Sequence, residues 1–497
     1  MREQSSEQPS ARDSRRGRRG VVVVMLSLLT AVVLLPMVGL AVDGSVLYLI
    51  KAKLSKAVDA AALAGARSLS VGMDINSQTD SASATARSFF YANFPNGYWN
   101  TSNLTLTISV AQTAFKTRTV TMRASVTVPL TFMRLLGQPA STVAASGQTS
   151  RRDVNMVVVL DRSNSMQLAG VCGTMVSAAR GFIADFANGR DNIGLITFME
   201  SYKVDYAPTV NFKSNTPSLD TTLSNLNCGG DTGTAQAIYQ AHQQIIQINQ
   251  PGALNLIVLF TDGQPNGVTA DFPVKTQSDK RYSYSSPGST VTYGASTCTS
   301  QTPKLGTIAA WAGAPPPSTG ATGGLLEYTN SSISSTSLNT IANSSGCAFG
   351  GTSSMSNQQK MRMDIAYIPQ TDHWGNATTG YLPFASNDIY KSTNPYYRQI
   401  RVDTPTAIAT ASTNAADNAA AAARNDATYT PVIYAIGLGG TSAAPIDTTF
   451  MCRISNDPCS PIYDSSKPNG LYEYAPTAAQ LNDAFQRVAS EILRISQ

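Results

Sequence analysis

Charge is scarce in this chain. Asp, Glu, Lys and Arg make up only 13% of its 497 residues, about half the usual share of a soluble domain. Histidine is scarcer still: His242, in a predicted helix and read as a surface residue, and His373 are the whole supply. No Cys-x-x-Cys pair, Gly-x-Ser-x-Gly elbow, His-Glu-x-x-His pair or P-loop occurs. Zinc ribbons, thioredoxin-type redox sites, Ser–His hydrolases and nucleotide cradles therefore have no footing. With no acid–base or nucleophile constellation, the expectation is a protein that is not an enzyme. A basic excess is also missing. The formal charge of +5 comes mostly from six Arg against three acidic residues in positions 1–19, which leaves the remaining chain at only +2. A near-neutral body lacks the clustered field of a nucleic-acid binder.

What the chain does have begins with an apolar run, Val21–Val42. At about 1.5 Å per residue it spans about 33 Å, enough for a hydrocarbon core of about 30 Å. It is longer than the apolar stretch of a cleaved signal peptide, and Pro36 within it is of a kind that membrane helices tolerate. The arginines before it put residues 1–19 in the cytoplasm and the chain after Asp43 outside, by the positive-inside rule. The implied location is the inner (cytoplasmic) membrane, crossed once, with the bulk periplasmic or extracellular. Six cysteines (Cys172, Cys228, Cys298, Cys347, Cys452, Cys459) downstream of such a segment fit disulfides in an oxidising compartment.

Ser45–Leu69 continues as helix without proline. Ala57, Ala61 and Gly65 share one face at i, i+4 spacing, a row that permits close backbone approach and equally suits an alanine-rich packed helix. The arginine-flanked apolar helix, followed by AVDGSVLYLIKAKLSKAVDAAALAGA, resembles the N-terminal segment of TadE/TadG-like Flp pilus-assembly proteins over about residues 18–70. One departure is that the fifth residue after Gly20 is Met25, where processed pilins have Glu. Leu104–Val110 and Thr119–Val128 alternate apolar and polar residues as strands do. A short apolar helix at Thr131–Leu136 and a third strand at Thr142–Gly147 complete a small β-rich module, with a boundary expected at Ser150–Asp153.

From Asn155 the pattern changes. NMVVVL, NIGLITF (Asn192–Phe198), LNLIVLF (Leu254–Phe260) and PVIYAIGL (Pro431–Leu438) are apolar runs separated by helical stretches at Val176–Asn188 and Thr234–Ile246. Val204–Phe212 suits an edge strand and Leu471–Tyr474 a sixth. Such alternation predicts an α/β fold with a doubly wound, mostly parallel sheet covered on both faces. A closing helix turns Leu481, Phe485, Val488 and Ile492 inward, with Thr477 and Gln480 as a capping box. The predicted division is a basic tail (1–19), a transmembrane helix (20–42), a helix with a β-rich module (43–150) and the α/β domain (151–497). A polar stretch at about 264–402 is too long for a plain loop and reads as an insertion, ordered in part or wholly flexible.

Three loops carry oxygen ligands. NMVVVL leads into Asp161-Arg-Ser163-Asn-Ser165; Gly229-Gly-Asp-Thr232-Gly-Thr234 opens a helix; LNLIVLF leads into Thr261-Asp262-Gly263. In a doubly wound sheet these loops meet where strand order reverses. Hydroxyls from Ser163, Ser165 and Thr232 with carboxylates from Asp161 and Asp262 suit a hard divalent cation. The order of these motifs resembles the von Willebrand factor A (vWA) family and its metal-ion-dependent adhesion site. The resemblance implies Mg²⁺, or another divalent cation such as Mn²⁺ or Ca²⁺, on these five residues; the following Ala237-Ile238 favours Thr232 over Thr234. Cys172 falls just past the first loop and Cys228 just before the second, so a bridge between them would tie the rim. Cys452 and Cys459 would close a short local loop, and Cys298 and Cys347 would staple the insertion.

The resulting expectation is a membrane-anchored, outward-facing pilus-assembly or adhesion-type protein. It would capture an acidic group of a protein partner, such as a pilus or secretion-system component, through its metal. The alternative is a structural envelope component in which the metal only stabilises the fold. Tyr-rich pieces at Arg281–Tyr284 and Tyr396–Tyr397 are further candidate contact surfaces, although such pieces more often pack a loop.

Overall fold

The computed structural model describes residues 14–199, 201–230, 232–273, 281–282, 290–291, 303–310, 326–329, 332–337, 367–389, 399–401, 404–439 and 446–496. Cys298, Cys347, Tyr396–Tyr397 and most of the predicted insertion lie outside these residues. The chain divides into two compact units.

The first unit comprises residues 1–69, 78–113 and 118–151. Helix α1 (Ser14–Leu29) passes through a π-helical turn (Thr30–Leu34) into α2 (Leu35–Arg67). The irregular turn sits just before Pro36, which has no N–H to give to the preceding turn. Val21–Leu34 is exposed along its whole length, and this helix is long and apolar enough to cross a membrane. Beyond Asp43 the helix acquires an inner face. Ile50, Leu54, Val58, Ala61 and Ala62 are buried against α3 (Ile75–Asn93) and a three-stranded sheet, in the order β1 (Ser102–Ala114), β2 (Thr117–Pro129), β3 (Ala140–Arg152). The small-residue row is a packing surface. A Cβ on Gly65 would lie 3.0 Å from the Ala86 Cβ and 3.2 Å from Val120, so α2 closes onto α3 and β2 only because that position is bare.

Helix α3 was not legible in the sequence; it buries mainly Ala82, Ala86 and Phe90, too thin a stripe to stand out. The expected helix at Thr131–Leu136 is instead a 3₁₀ turn, Met133–Leu136. At the boundary expected at Ser150–Asp153, β3 runs to Arg152 and β4 starts at Val154.

The second unit holds a six-stranded sheet. Its strands are β4 (Val154–Asp161), β5 (Asn192–Phe198), β6 (Tyr202–Thr209), β7 (Leu254–Thr261), β14 (Val432–Leu438) and β15 (Leu471–Ala475), in the order β15-β14-β7-β4-β5-β6. All neighbours are parallel except β5 and β6. One face packs on α5 (Cys172–Ala184) and α10 (Ala478–Ile495) through Val158, Leu160, Phe182, Phe260 and Phe485. The other packs on α7 (Thr234–Ile248), α8 (Pro405–Arg424) and α9 (Thr448–Ser455) through Val157, Val159, Ile238, Leu259 and Ile433. Both faces are covered, so the central strands read as unbroken apolar runs. The inner stripe Leu481, Phe485, Val488, Ile492 is fully buried. Its capping box does not form: the Thr477 hydroxyl donates to Gln480 Oε1 (3.0 Å) and caps no backbone N–H.

The described residues of the insertion include several short strands. β8 (Gly267–Phe272) pairs antiparallel with β11 (Lys304–Ala309), which continues to β12 (Leu326–Thr329) and β13 (Ser332–Ser337); β9 (Arg281–Tyr282) and β10 (Thr290–Val291) make a two-residue pair. Val268, Ala270, Phe272 and Ile308 pack on Ile408 and Ala411, in the first half of α8. The second half of α8 packs on the main sheet through Ala415, Ala419 and Ala423. Ser412, where the halves meet, donates to the Gly267 carbonyl at 2.7 Å.

Candidate metal centre

Strand order reverses at β4: the chain goes next to β5 on one side and returns later to β7 on the other. The carboxyl ends of β4 and β7 therefore flank the crevice in which doubly wound sheets bind ligands. Asp161 is the last residue of β4, and Asp262 follows directly on β7. Ser163 precedes the short helix α4 (Asn164–Leu168), and Ser165 lies in its first turn.

These four residues are joined. The Ser163 and Ser165 hydroxyls are 2.8 Å apart, and Ser165 donates to Asp262 Oδ1 at 2.8 Å. Asp161 Oδ1 accepts from the Ser163 N–H at 2.8 Å, and its Oδ2 accepts from the Thr261 hydroxyl at 2.6 Å. The third loop is tied to the first, because the Asn164 N–H donates to the Gly230 carbonyl at 2.7 Å. Thr232 stands in that loop, buried. Its N–H donates to Asn266 Oδ1 (2.7 Å), and its carbonyl accepts from the N–H groups of Asn266 (3.0 Å) and Gly267 (3.1 Å). Thr234 begins α7 fully buried, and its hydroxyl finds no hydrogen-bond partner among the described residues.

Sequence reasoning named Thr261 without a role and did not single out Asn266. Thr261 fixes the first carboxylate, and Asn266 fixes the threonine loop from the first residues of the insertion. The available signal was position alone: both lie within five residues of Asp262, on the same strand exit.

Asp161 is fully buried, and its carboxyl is pushed up to about 7 by that burial and then by the negative charge of Asp262. Asp262 is also raised, chiefly by burial. Two like charges in one crevice, with no cationic side chain among the causes acting on either, is an arrangement that favours a proton or a cation. Among the described residues no three His, Cys, Asp or Glu side chains cluster. The donor set is thus two carboxylates with neutral hydroxyls, which suits an oxygen-seeking divalent ion better than zinc.

The rim is cross-linked. Cys172 and Cys228 form a disulfide with Cα atoms 6.1 Å apart, and Cys452–Cys459 closes a local loop at 5.6 Å. Replacing both Cys172 and Cys228 by Ser should cost about 2–4 kcal/mol, read as a lower denaturation midpoint. A loss below about 0.5 kcal/mol would show that the bridge does not restrain the unfolded chain.

His242 is not a free surface residue. It is largely buried, with Nε2 2.8 Å from Asp426 Oδ2. His373 Nδ1 lies 2.8 Å from Asp271 Oδ2. Neither belongs to the cluster above.

Residues 156–264 match the family model of the von Willebrand factor type A domain, and residues 20–68 match that of the Flp pilus-assembly TadE/G-like family. No curated protein matches the chain. Weak likenesses exist among solved structures. The PilB minor pilin from Streptococcus sanguinis is 12% identical, with 80% of each chain covered and a TM-score of 0.33. The vWF domain of the type V pili tip protein Mfa5 from Porphyromonas gingivalis is 16% identical, covering 70% of this chain and 97% of that one, with a TM-score of 0.35. The pilus adhesin SpaC from Lactobacillus rhamnosus GG is 12% identical with a TM-score of 0.34; the match covers 79% of this chain but 34% of SpaC.

Proposed function

We propose that this chain, which carries a TadE/G-like pilus-assembly segment ahead of a von Willebrand factor type A domain, is a membrane-anchored binding protein of a pilus or secretion apparatus rather than an enzyme. Asp161, Ser163, Ser165, Thr232 and Asp262 would hold one divalent cation, Mg²⁺ or else Mn²⁺ or Ca²⁺. The observation that carries this reading is the pair of buried carboxylates at adjacent strand ends, bridged by two serine hydroxyls and joined by no cationic side chain among the described residues.

The bound cation would supply a Lewis-acidic position for an acidic side chain of a protein partner. The chain's own residues do the rest. Thr261 and the Ser163 N–H orient Asp161, Asn266 holds the threonine loop, and the Cys172–Cys228 bridge keeps the rim closed. Hydroxyl ligands leave the metal more electrophilic than a set of carboxylates would. Val21–Val42 would cross the inner membrane once, with the arginine-rich end in the cytoplasm and the vWA domain outside.

Affinity capture from envelope extracts tests the reading. Full-length protein in detergent should retain its partner in Mg²⁺ and release it in EDTA, with recovery on adding Mg²⁺ back. If EDTA lowers the melting temperature but leaves capture unchanged, the metal serves the fold and the binding reading fails.

A pH dependence follows from the raised carboxyl. The folded value of about 7 lies above the ordinary 3.8. Asp161's contribution to stability in the metal-free protein is therefore fully present below about pH 4 and lost as pH rises through about 7. The gain in melting temperature on adding Mg²⁺ should consequently be larger at pH 8 than at pH 5. An equal gain at both would mean that metal and proton do not compete there.

A further inference from the structure

Residues 130–137, Leu-Thr-Phe-Met-Arg-Leu-Leu-Gly, connect β2 to β3 as a loop in which Leu130 is buried while Phe132, Leu135 and Leu136 are exposed. Leu135 is 84% exposed, Leu136 64% and Phe132 41%. Its position against the apolar helix is fixed twice. Asp43, buried at the end of the apolar run, accepts the N–H groups of Thr131, Phe132 and Met133 at 3.0, 2.9 and 2.7 Å. One turn earlier, Gly39 leaves room for the Phe132 side chain: a Cβ there would come within 2.6 Å of the Phe132 Cβ. The loop thus folds back along the helix toward its middle. It encloses a groove of about 250 Å³ lined by Ala31, Pro36 and Leu40 with Phe132, Leu135 and Leu136. Ala31 is 12 residues before Asp43, about 18 Å along a helix.

In water this cluster would be costly to leave uncovered. The helix residues beside it, Met37, Val38 and Leu40, are exposed to a similar degree and belong to the bilayer-spanning run. A loop seated beside them shares their depth, so whatever surrounds one surrounds the other. Irregular backbone survives in hydrocarbon only when its polar groups are paired, and seven N–H groups of residues 130–138 are. Asp43 takes three N–H groups, while Leu130, Leu135, Gly137 and Gln138 donate to the carbonyls of Pro139, Phe132, Arg134 and Met133.

We propose that the Thr131–Leu136 loop is a second membrane-inserted element. It would dip among lipid acyl chains on the Asp43 side of the bilayer, and Asp43 would be the clamp that sets its depth. The neighbouring Arg134 has a stem long enough to return its charge to the headgroups. The protein would then hold the membrane by a helix and a wedge, which resists rotation about the helix axis. The proposal rests on the reading of Val21–Val42 as a bilayer span.

The test uses the full chain in phosphatidylcholine–phosphatidylglycerol vesicles. Wild-type protein should first resist carbonate extraction; if it washes off, the span and the wedge fall together. The variant Leu135→Trp then adds emission above the wild-type background of Trp99, Trp311 and Trp374. That added emission should be blue-shifted, should fall by about half when the lipids carry bromine on their acyl chains, and should ignore aqueous iodide, as an aromatic side chain within the hydrocarbon would. Quenching by iodide would place the loop in water and overturn the wedge with the span intact. Quenching by neither would mean protein, such as a second copy, covers it, and overturns the proposal as well. Adding Asp43→Ala to Leu135→Trp should convert bromine quenching into iodide quenching.

Discussion

Asp161→Asn should stabilise the EDTA-treated protein at pH 8 while abolishing its response to Mg²⁺. A carboxyl displaced from 3.8 to about 7 destabilises the ionised, metal-free fold by on the order of 4 kcal/mol, and the neutral amide removes both the cost of burying that charge and its repulsion from Asp262. Asparagine can keep both contacts, since its carbonyl oxygen accepts from the Ser163 N–H as Oδ1 does now. Its amide can donate to Thr261, whose hydroxyl has the Gly263 carbonyl as another acceptor. Wild-type protein at about one hundred times the dissociation constant of Mg²⁺ gains about 2.7 kcal/mol, and the variant should gain none. Paired thermal melts with and without Mg²⁺ read both effects. A variant that melts lower than wild type in EDTA, yet still responds to Mg²⁺, would remove Asp161 from the metal site.

Phe485→Ala should be the most damaging single truncation in the vWA domain. Phe485 on α10 is fully buried, with ring centroids 5.7 Å from both Phe182 and Phe260. It joins helix to helix and helix to sheet at one point. Losing a ring of this kind costs about 3–5 kcal/mol, or about 10 °C in melting temperature for a domain of this size. Ser490→Ala, on the exposed face of the same helix, should change little. A loss below about 1 kcal/mol for Phe485→Ala would mean that α10 frays from the sheet without consequence.

The parts legible in the sequence share one physical cause. NMVVVL, NIGLITF and LNLIVLF are buried on both faces, so they are apolar throughout and cannot be mistaken for loops. The polar residues at their ends then stand out as a cluster, which is how Asp161, Ser163, Ser165 and Asp262 could be named together. The parts that escaped are held by small side chains. Helix α8 buries Ala411, Ala415, Ala416, Ala419, Ala420 and Ala423 and shows no stripe of large residues, although Thr404 caps it and Pro405 starts it. Strand β8 is legible only in hindsight, from Val268, Ala270 and Phe272 on one face. The role of Asn266 depends on a loop 34 residues earlier, a distance over which local pattern says nothing.

The hydrogen bond from Ser412 to the Gly267 carbonyl gives the domain an architectural freedom. Those two residues are 145 positions apart, and together with the Thr232–Asn266 contacts they pin both ends of the intervening chain at the margin of the candidate metal centre. Chain between the end of β8 and the start of α8 could lengthen or shorten without moving the ligand loops, because closing a longer loop costs only slowly more. The segment is thus a replaceable cassette on a fixed socket. The socket would set the chemistry of capture, and the cassette, free to drift, would determine which surfaces can reach it.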